Sequence, residues 1–174
     1  MWRRLAVAAL RLRRWRLVGE LPDLPKYLII LAPHTCNWDL LLGLLAATGF
    51  GARVSWLGKS TIFRWPVAGL LRRLGGLPVH RGHQEGIVGQ VVAAYATADS
   101  LVVGMTPEGT RHATASWKSG FYHIALGAGV PIVPASIDRA SRRIAVGPPL
   151  GLSGNPPRDM EVIRRFYGAA HGVH

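Results

Sequence analysis

Short apolar runs of strand type alternate along the chain with runs of helical spacing. Strands are predicted at 26–33, 52–58, 101–105, 131–137 and 143–147, with a further short strand and loop at 75–82. Helices are predicted at 38–48, 84–98, 117–127 and 158–170, and 59–74 is predicted to form two short helices because Pro66 interrupts the pattern. This alternation predicts an α/β layered fold, in which helices flank a central sheet that is largely parallel or mixed.

The length and composition fit one domain preceded by a basic helix. A chain of 174 residues with 49% hydrophobic residues is long enough to bury one continuous core. Residues 1–20 combine leucines and tryptophans with six arginines and predict an amphipathic helix, and 21–174 then form a single domain. On a helical wheel Arg13 and Arg16 fall among the apolar residues, so the amphipathic pattern is imperfect.

Neither of the two long uncharged stretches has the character of a membrane span. The stretch 40–52 has 13 residues, fewer than the roughly 18 that cross a bilayer, and the stretch 119–137 is interrupted by glycines and prolines. The apolar start of the chain is broken by arginines after six residues, which is too short for a secretory signal. We therefore expect a cytoplasmic protein without a transmembrane helix.

The charge balance favours anionic partners. The chain carries 21 Lys and Arg against 9 Asp and Glu, a net charge of +12. This charge suits nucleic acid, an acidic membrane face, phosphorylated small molecules or an acidic carrier protein. The sequence shows neither zinc-finger spacing nor an aromatic block of RNA-binding type, so no nucleic acid partner is predicted. The single cysteine, Cys36, excludes an internal disulfide and a multi-cysteine metal site.

Candidate chemistry begins at the stretch HTCNWD, residues 34–39, between a predicted strand and a predicted helix. Asn37 is a good N-cap, which puts Asp39 in the first helical turn and His34 in the loop ahead of it. A histidine there can donate one N–H to the carboxylate, which leaves its other nitrogen to accept a proton. Each residue alone also fits an ordinary role, since the helix dipole favours an aspartate in the first turn.

The proton that such a pair would take has no evident donor in the chain itself. The sequence contains no Gly-x-Ser-x-Gly elbow, and a lone cysteine beside an apolar helix, such as Cys36, is usually a small core residue. The economical interpretation is that His34 deprotonates a hydroxyl group of the substrate, a step that accelerates reactions by about 10²–10⁴-fold.

Four blocks of sequence, taken in order, resemble the glycerol-phosphate and lysophospholipid acyltransferases, the family that includes 1-acylglycerol-3-phosphate acyltransferase. HTCNWD matches the family's His-x-x-x-x-Asp motif, and the stretch 58–81, which ends in LPVHR, resembles the second block. TPEGTR (106–111) resembles the Phe-Pro-Glu-Gly-Thr-Arg block, and VPIVP (130–134) resembles the fourth. The ordered set covers about residues 28–138.

The resemblance implies transfer of a fatty acyl group from an acyl-CoA or acyl-carrier-protein thioester to a hydroxyl of a lysophospholipid or glycerol-phosphate-type acceptor. It implies His34 as general base and Asp39 as its partner, with no metal and no cofactor beyond the acyl donor. The residues implied to bind the acceptor phosphate are Glu108, Gly109, Thr110, Arg111, Arg81 and Lys59. Guanidinium groups suit that task because their donors match phosphate oxygens.

Three positions depart from the family pattern. Thr106 stands where the family commonly has phenylalanine, His80 where it has an acidic residue, and His112 where it has serine. Because the two histidines would make the acceptor pocket more cationic at low pH, the identity of the acceptor stays open.

The role of residues 1–20 and the type of activity also stay open. The basic helix is predicted to hold the protein peripherally on the inner face of the membrane, because each arginine near an anionic leaflet contributes about 1 kcal/mol. The same helix would also suit docking on its own domain. A non-catalytic module that binds lipid or acyl carrier, and a thioester hydrolase, are the alternatives to a transferase.

Overall fold

The structure is a computed structural model that describes residues 2–32, 38–80, 82, 86–108 and 117–170. Its strands are β1 (Arg16–Val18), β2 (Lys26–Leu31), β3 (Ser55–Lys59), β4 (Gly76–Val79), β5 (Leu101–Met105), β6 (Ile132–Asp138) and β7 (Arg143–Val146). Its helices are α1 (Trp2–Leu12), α2 (Trp38–Phe50), α3 (Ala68–Arg73), α4 (Gly86–Thr97), α5 (Gly120–Ala128) and α6 (Pro156–Ala170), with a 3-10 turn at Ser60–Ile62.

The strands form one sheet in the order β1-β7-β6-β2-β5-β3-β4. The five strands from β6 to β4 in this order are mutually parallel, whereas β7 runs antiparallel to β6 and β1 pairs parallel to β7. The predicted α/β fold with a largely parallel or mixed sheet is therefore confirmed. The outermost strands are short: β1 has three residues, and β4 has four, including Pro78.

Successive residues of β2 pack into different layers because side chains alternate along a strand. Leu28 and Ile30 join the large core with α4, α5 and α6, on what we call the back face. Tyr27 and Ile29 point to the opposite side, the front face, which also bears Val133 of β6. On the front face, α1 and α2 pack against β6 and β7.

The parallel strands β2, β3, β4, β5 and β6 all end at the same edge of the sheet, here called the carboxyl edge. In the register, Ile30 of β2 lies opposite Met105 of β5 and Pro134 of β6. Loops that follow parallel strands are where α/β proteins bind their ligands. The architecture therefore points to this edge before any side chain is considered.

The N-terminal helix is shorter than the predicted 1–20. It ends at Leu12, and Arg14 adopts a left-handed φ of 59° before the chain turns into β1. Backbone pairing of β1 with β7 accounts for the change, because Arg16 and Val18 lie opposite Arg143 and Ala145. The helix docks on its own domain: Ala6 and Leu10 are buried, and the Arg3 Nε donates to the Gly49 carbonyl at 3.1 Å.

The helix α2 is apolar almost all round, a pattern that predicts a fully buried helix, but this prediction is wrong at its start. Ala46, Ala47 and Gly49 in its second half are buried, but Trp38, Leu40 and Leu41 in its first turn are exposed. Some of the apolar side chains of α2 therefore lie on the surface and do not contribute to the core. None of the helices in the described ranges combines the length and apolar character that a bilayer-spanning helix needs.

The start of α6 is fixed by a buried carboxylate. Asp159 accepts hydrogen bonds from the Ser153 backbone N–H and hydroxyl and from the Tyr122 hydroxyl of α5, the last at 2.9 Å. Burial by itself raises the pKa of Asp159, but the hydrogen bonds from Ser153 and Tyr122 outweigh it and hold the pKa below its ordinary value of 3.8. Further along α6, the Tyr167 hydroxyl donates to the Ile30 carbonyl of β2 at 2.7 Å.

Substitution Asp159→Asn is expected to lower the urea midpoint of unfolding at neutral pH, because three donors lose a charged acceptor. A carboxylate whose folded-state pKa is depressed stabilises above its ordinary pKa and loses that effect as the pH falls through the folded-state value. The difference between wild type and variant should therefore shrink below pH 3.8. The control is Glu161→Gln, at an exposed acid on the same helix, whose urea midpoint should stay close to that of wild type at any pH. If the urea midpoint of Asp159→Asn remained equally far below that of wild type in acid, a depressed pKa of Asp159 would be contradicted.

Candidate active site at the carboxyl edge

Three of the predicted site residues lie in the described part of the chain, and all three follow parallel strands at the carboxyl edge. Asp39 is in the first turn of α2, after β2; Lys59 ends β3; and Glu108 comes three residues after the end of β5. Because β2, β5 and β3 are consecutive in the sheet, and neighbouring strands are about 5 Å apart, the three segments line one stretch of this edge.

Asp39 is the most deeply buried of these residues, with 1% of its surface exposed. Its Oδ1 accepts a hydrogen bond from Nη2 of Arg139, the residue directly after β6. The pairing follows from the topology: β6 lies beside β2, with Ala135 opposite Leu31, so the residues that follow the two strands meet. A buried carboxylate requires such a partner, because an ion removed from water without one costs several kcal/mol.

Arg139 was not among the residues singled out from the sequence. It is separated from Asp39 by 100 positions and counts in the composition as one of many arginines. Its position in the sequence could have indicated it, because it follows the predicted strand that contains the VPIVP block. If that strand is parallel to the strand before HTCNWD, the residues after both strands lie at the same edge of the sheet. Asp138, the neighbour of Arg139, caps the following turn by accepting from the Ala140 and Ser141 N–H groups.

Glu108 is also buried, with 5% of its surface exposed. A residue of an exposed phosphate-binding loop would instead be open to solvent. The negative charge of Glu108 helps to raise the pKa of Tyr167, after the larger effect of burial on that tyrosine. Tyr167 in turn makes an edge-on ring contact with Trp117, with centroids 5.1 Å apart, and the Lys118 N–H donates to the Pro107 carbonyl at 2.9 Å. The turn that bears Glu108 is thus fixed against the back-face helices.

Lys59 is exposed at the end of β3, opposite Val79 at the end of β4. Its position at the carboxyl edge fits contact with an anion there. Phe121 is fully buried and Trp117 packs against the same core, whereas Lys118 is exposed.

His34, Arg81, Gly109, Thr110 and Arg111 lie outside the described residues, as do Asn37 and Cys36. Their predicted roles stay predictions. Within the described ranges, no group of three or more His, Cys, Asp and Glu side chains is arranged to hold a metal ion.

Residues 18–138 match the family model described as Acyltransferase. This segment is well over half of the chain and contains the four sequence blocks. The chain belongs to the acyltransferase family. Arg139 lies one residue beyond the matched segment.

A curated relative of this acyltransferase chain is the 1-acyl-sn-glycerol-3-phosphate acyltransferase of Escherichia coli (strain K12), which is 29% identical over 123 residues. The match covers 67% of this chain but 49% of the relative, so the chain spans about half the length of the curated relative it matches. Among solved structures, the 1-acyl-sn-glycerophosphate (LPA) acyltransferase PlsC from Thermotoga maritima superposes with a TM-score of 0.70 and 18% identity. That match covers 98% of this chain and 78% of the other, and it shows a shared fold.

In this acyltransferase chain, Arg139→Ala is expected to lower the free energy of unfolding by about 1–3 kcal/mol, because a buried carboxylate loses a charged donor. The half-exposed position of Arg139, at 49%, keeps the expected loss below that of a fully buried pair. Urea unfolding followed by circular dichroism measures it. The matched control is Arg165→Ala, which removes the exposed pair of Arg165 with Glu161 and should change the free energy by less than about 0.5 kcal/mol. Equal effects of the two variants would contradict a supporting role for Arg139.

Proposed function

We propose that the chain is an O-acyltransferase, which moves a fatty acyl group from an acyl-CoA or acyl-carrier-protein thioester to a hydroxyl of a lysophospholipid or glycerol-phosphate-type acceptor. The observation that carries the proposal is the position of Asp39: it is a buried carboxylate in the first turn of α2 at the carboxyl edge, five residues after His34. Membership of the acyltransferase family supports it, as does the acyltransferase activity for which the Escherichia coli and Thermotoga maritima proteins are named.

In the proposed reaction His34 accepts the proton of the acceptor hydroxyl. The oxygen attacks the thioester carbonyl carbon, a new C–O bond forms, and the C–S bond breaks. The proton passes to the departing thiolate, so the products are an acyl ester and a free thiol of the donor. Neither a redox step nor a cofactor beyond the donor is part of this scheme.

Asp39 has two tasks in this scheme that its surroundings support. Its carboxylate orients the imidazole of His34 and balances the positive charge that forms there. A carboxylate offers about four acceptor positions, so the bond from Arg139 is compatible with a second bond from an imidazole. The guanidinium of Arg139 also offsets the charge of Asp39 when the imidazole is neutral.

The acceptor phosphate is assigned to the basic residues of the second and third blocks. Arg111 and Arg81 provide planar forks of donors, and Lys59 provides a point charge at the end of β3. Glu108, Gly109 and Thr110 belong to the same site, with the buried Glu108 holding the turn in place. The net charge of +12 favours an anionic acceptor in general.

Association with the inner face of the cytoplasmic membrane through α1 belongs to the same proposal. One side of α1 docks on the domain through Ala6 and Leu10, whereas Trp2, Leu5 and Leu12 stay exposed, as do Arg4 and Arg11. An amphipathic helix of this kind binds the interface of an anionic leaflet. A nucleic acid partner is not part of the proposal.

His34→Ala is expected to lower kcat by about 10²–10⁴-fold, because general-base catalysis is worth that much. Thiol release from a long-chain acyl-CoA, followed with a thiol reagent, measures the rate. His123→Ala, which removes an exposed histidine on α5, is the matched control and should leave kcat unchanged. Full activity of His34→Ala would refute the proposed mechanism.

Arg111→Ala is expected to raise KM for a phosphorylated acceptor by about tenfold or more, since a charge-assisted bond to phosphate contributes at least 1.4 kcal/mol. Its kcat should change less than that of His34→Ala, because the arginine binds the acceptor and does not move the proton. Arg164→Ala, at an exposed arginine on α6, is the control. Small and equal effects of His34→Ala and Arg111→Ala would leave the assigned roles without support.

Supplying the donor with and without a lysophospholipid separates the transferase from its alternatives. A transferase releases thiol only when both are present and forms an ester that mass spectrometry detects. A thioester hydrolase needs the donor alone, and a binding module shows neither reaction. An acceptor panel in the same assay then identifies the lipid class.

A further inference from the structure

The large hydrophobic side chains that remain exposed are concentrated on one side of the molecule. Among the described residues fourteen such side chains are exposed, and eleven of them belong to α1, to α2 or to residues 60–74, which we call the α3 segment. They are Trp2, Leu5 and Leu12 in α1, Trp38, Leu40 and Leu41 in α2, and Ile62, Trp65, Val67, Leu70 and Leu74 in the α3 segment. The back-face helices contribute only Leu126 and Val162.

The α3 segment lies on the same face of the sheet as α1 and α2. In β3, Leu57 packs with the back-face core, whereas Val54 just ahead of the strand packs with the front-face cluster. Because side chains alternate along a strand, Trp56 and Gly58 face the front. We call α1, α2 and the α3 segment together the front layer.

Phe63 fastens the α3 segment to that face. Its ring stacks on Trp56, with centroids 6.0 Å apart. A Cβ placed on Gly58 would come within 2.7 Å of the Phe63 ring, and one on Gly76 within 2.8 Å. The two glycines therefore leave the space that the ring occupies, and the apolar side chains beyond Phe63 are left outside the core.

Those outer side chains, here called the apolar strip, are Trp65, Val67, Leu70 and Leu74. Trp65 is 92% exposed. Val67, Leu70 and Leu74 follow at spacings of three and four residues, and backbone bonds from Leu71 N–H to Val67 O and from Leu74 N–H to Leu70 O keep this stretch helical. At about 100° per residue these three side chains lie within about 60° of one another. The strip has no covering element among the described residues.

The exposed charges of the front layer are all positive. Arg64, Arg72 and Arg73 are exposed in the α3 segment, and α1 adds further arginines. The sequence contains no acidic residue between Asp39 and Glu85 and none in α1. Asp39 is the single acid of the layer, and it is buried.

We propose that the front layer is a membrane-binding surface, in which the α3 segment makes a second contact with an anionic lipid bilayer, separate from that of α1. This inference rests on the proposed function, since a lipid acceptor is what takes the protein to a bilayer. Tryptophan and leucine side chains enter the boundary between headgroups and acyl chains, while arginine stems extend to the lipid phosphates. Trp38 and Ile62 follow β2 and β3 at the carboxyl edge, so the contact brings the candidate site to the lipid surface.

A lipid surface explains the exposed apolar side chains together with the exposed arginines better than a nucleic acid does. A nucleic acid surface would use the arginines together with aromatic rings that stack on bases, but it gives no reason for the aliphatic strip of Val67, Leu70 and Leu74. A bilayer uses both, because the aliphatic groups leave water and the arginines meet anionic headgroups.

The test compares two double variants of the full chain in vesicle sedimentation. Trp65→Ser with Leu70→Ser removes apolar groups from the front layer, and Leu126→Ser with Val162→Ser removes exposed apolar groups from the back face. With phosphatidylglycerol vesicles, the front variant should partition at least about tenfold more weakly than wild type, since two large apolar side chains leave water on binding. The back variant should partition as wild type does. Equal urea midpoints of all three proteins establish that the fold is retained.

A second arm separates this inference from the proposed function. The front variant should lose acyl transfer to a lysophospholipid held in vesicles and keep it with a short-chain acceptor dissolved below its micelle concentration. Absence of transfer with both acceptors in the wild type would refute the proposed function, while the sedimentation arm still reports on the surface. Transfer that persists equally in both assays would support the enzyme and overturn the membrane contact.

Three further results would overturn the proposal: no binding of the wild type to anionic vesicles, equal weakening by the front and back variants, or tighter binding to a single-stranded RNA than to vesicles. Light scattering provides the remaining check. A dimer of wild type that the front variant dissociates would assign the strip to a second copy of the chain, and a monomer in both cases supports the lipid surface.

Discussion

The structure depends on how it compensates a negative charge buried at the carboxyl edge. A carboxylate taken out of water needs a cation or several donors, and Asp39 receives the guanidinium of Arg139. The two residues meet only because β2 and β6 are neighbours in parallel register. One ion pair therefore couples the position of α2 to the pairing of the sheet. The stretch that contains His34 joins β2 to α2, so the candidate chemistry lies between two elements that this pair holds in place.

The two sides of the sheet divide the work of the molecule. The back face holds the largest core, in which Tyr95, Phe121 and Ile163 are fully buried, and hydrogen bonds of Tyr167 and Asp159 fix its helices. The front layer leaves large apolar groups outside. Most of the buried packing therefore lies on the back face, most of the exposed large apolar side chains lie on the front, and both faces share the edge at which the candidate site lies.

Elements that obey a local rule were predictable, and those set by distant partners were not. Apolar runs closed by glycine or proline located β2, β5 and most helices, because burial and chain breaks are local properties. The strand β1 was missed since its three residues continue the basic pattern of α1. The mismatch of Arg13 and Arg16 on the helical wheel was the available warning, and both lie beyond the end of the helix. The contact of Arg139 with Asp39 could not be predicted because it follows from the pairing of β6 with β2. The exposure of Trp38 could not be predicted because the sequence pattern shows that the residue is apolar and does not show whether it is covered.

The short outer strands have a consequence for self-association of the protein. Exposed sheet edges are templates on which other chains add strands and begin to aggregate. At one end β1 offers three residues, and at the other Pro78 removes a backbone donor from the four-residue β4. A polypeptide that carries uncovered apolar groups on one face is thus protected against strand addition at both ends of its sheet.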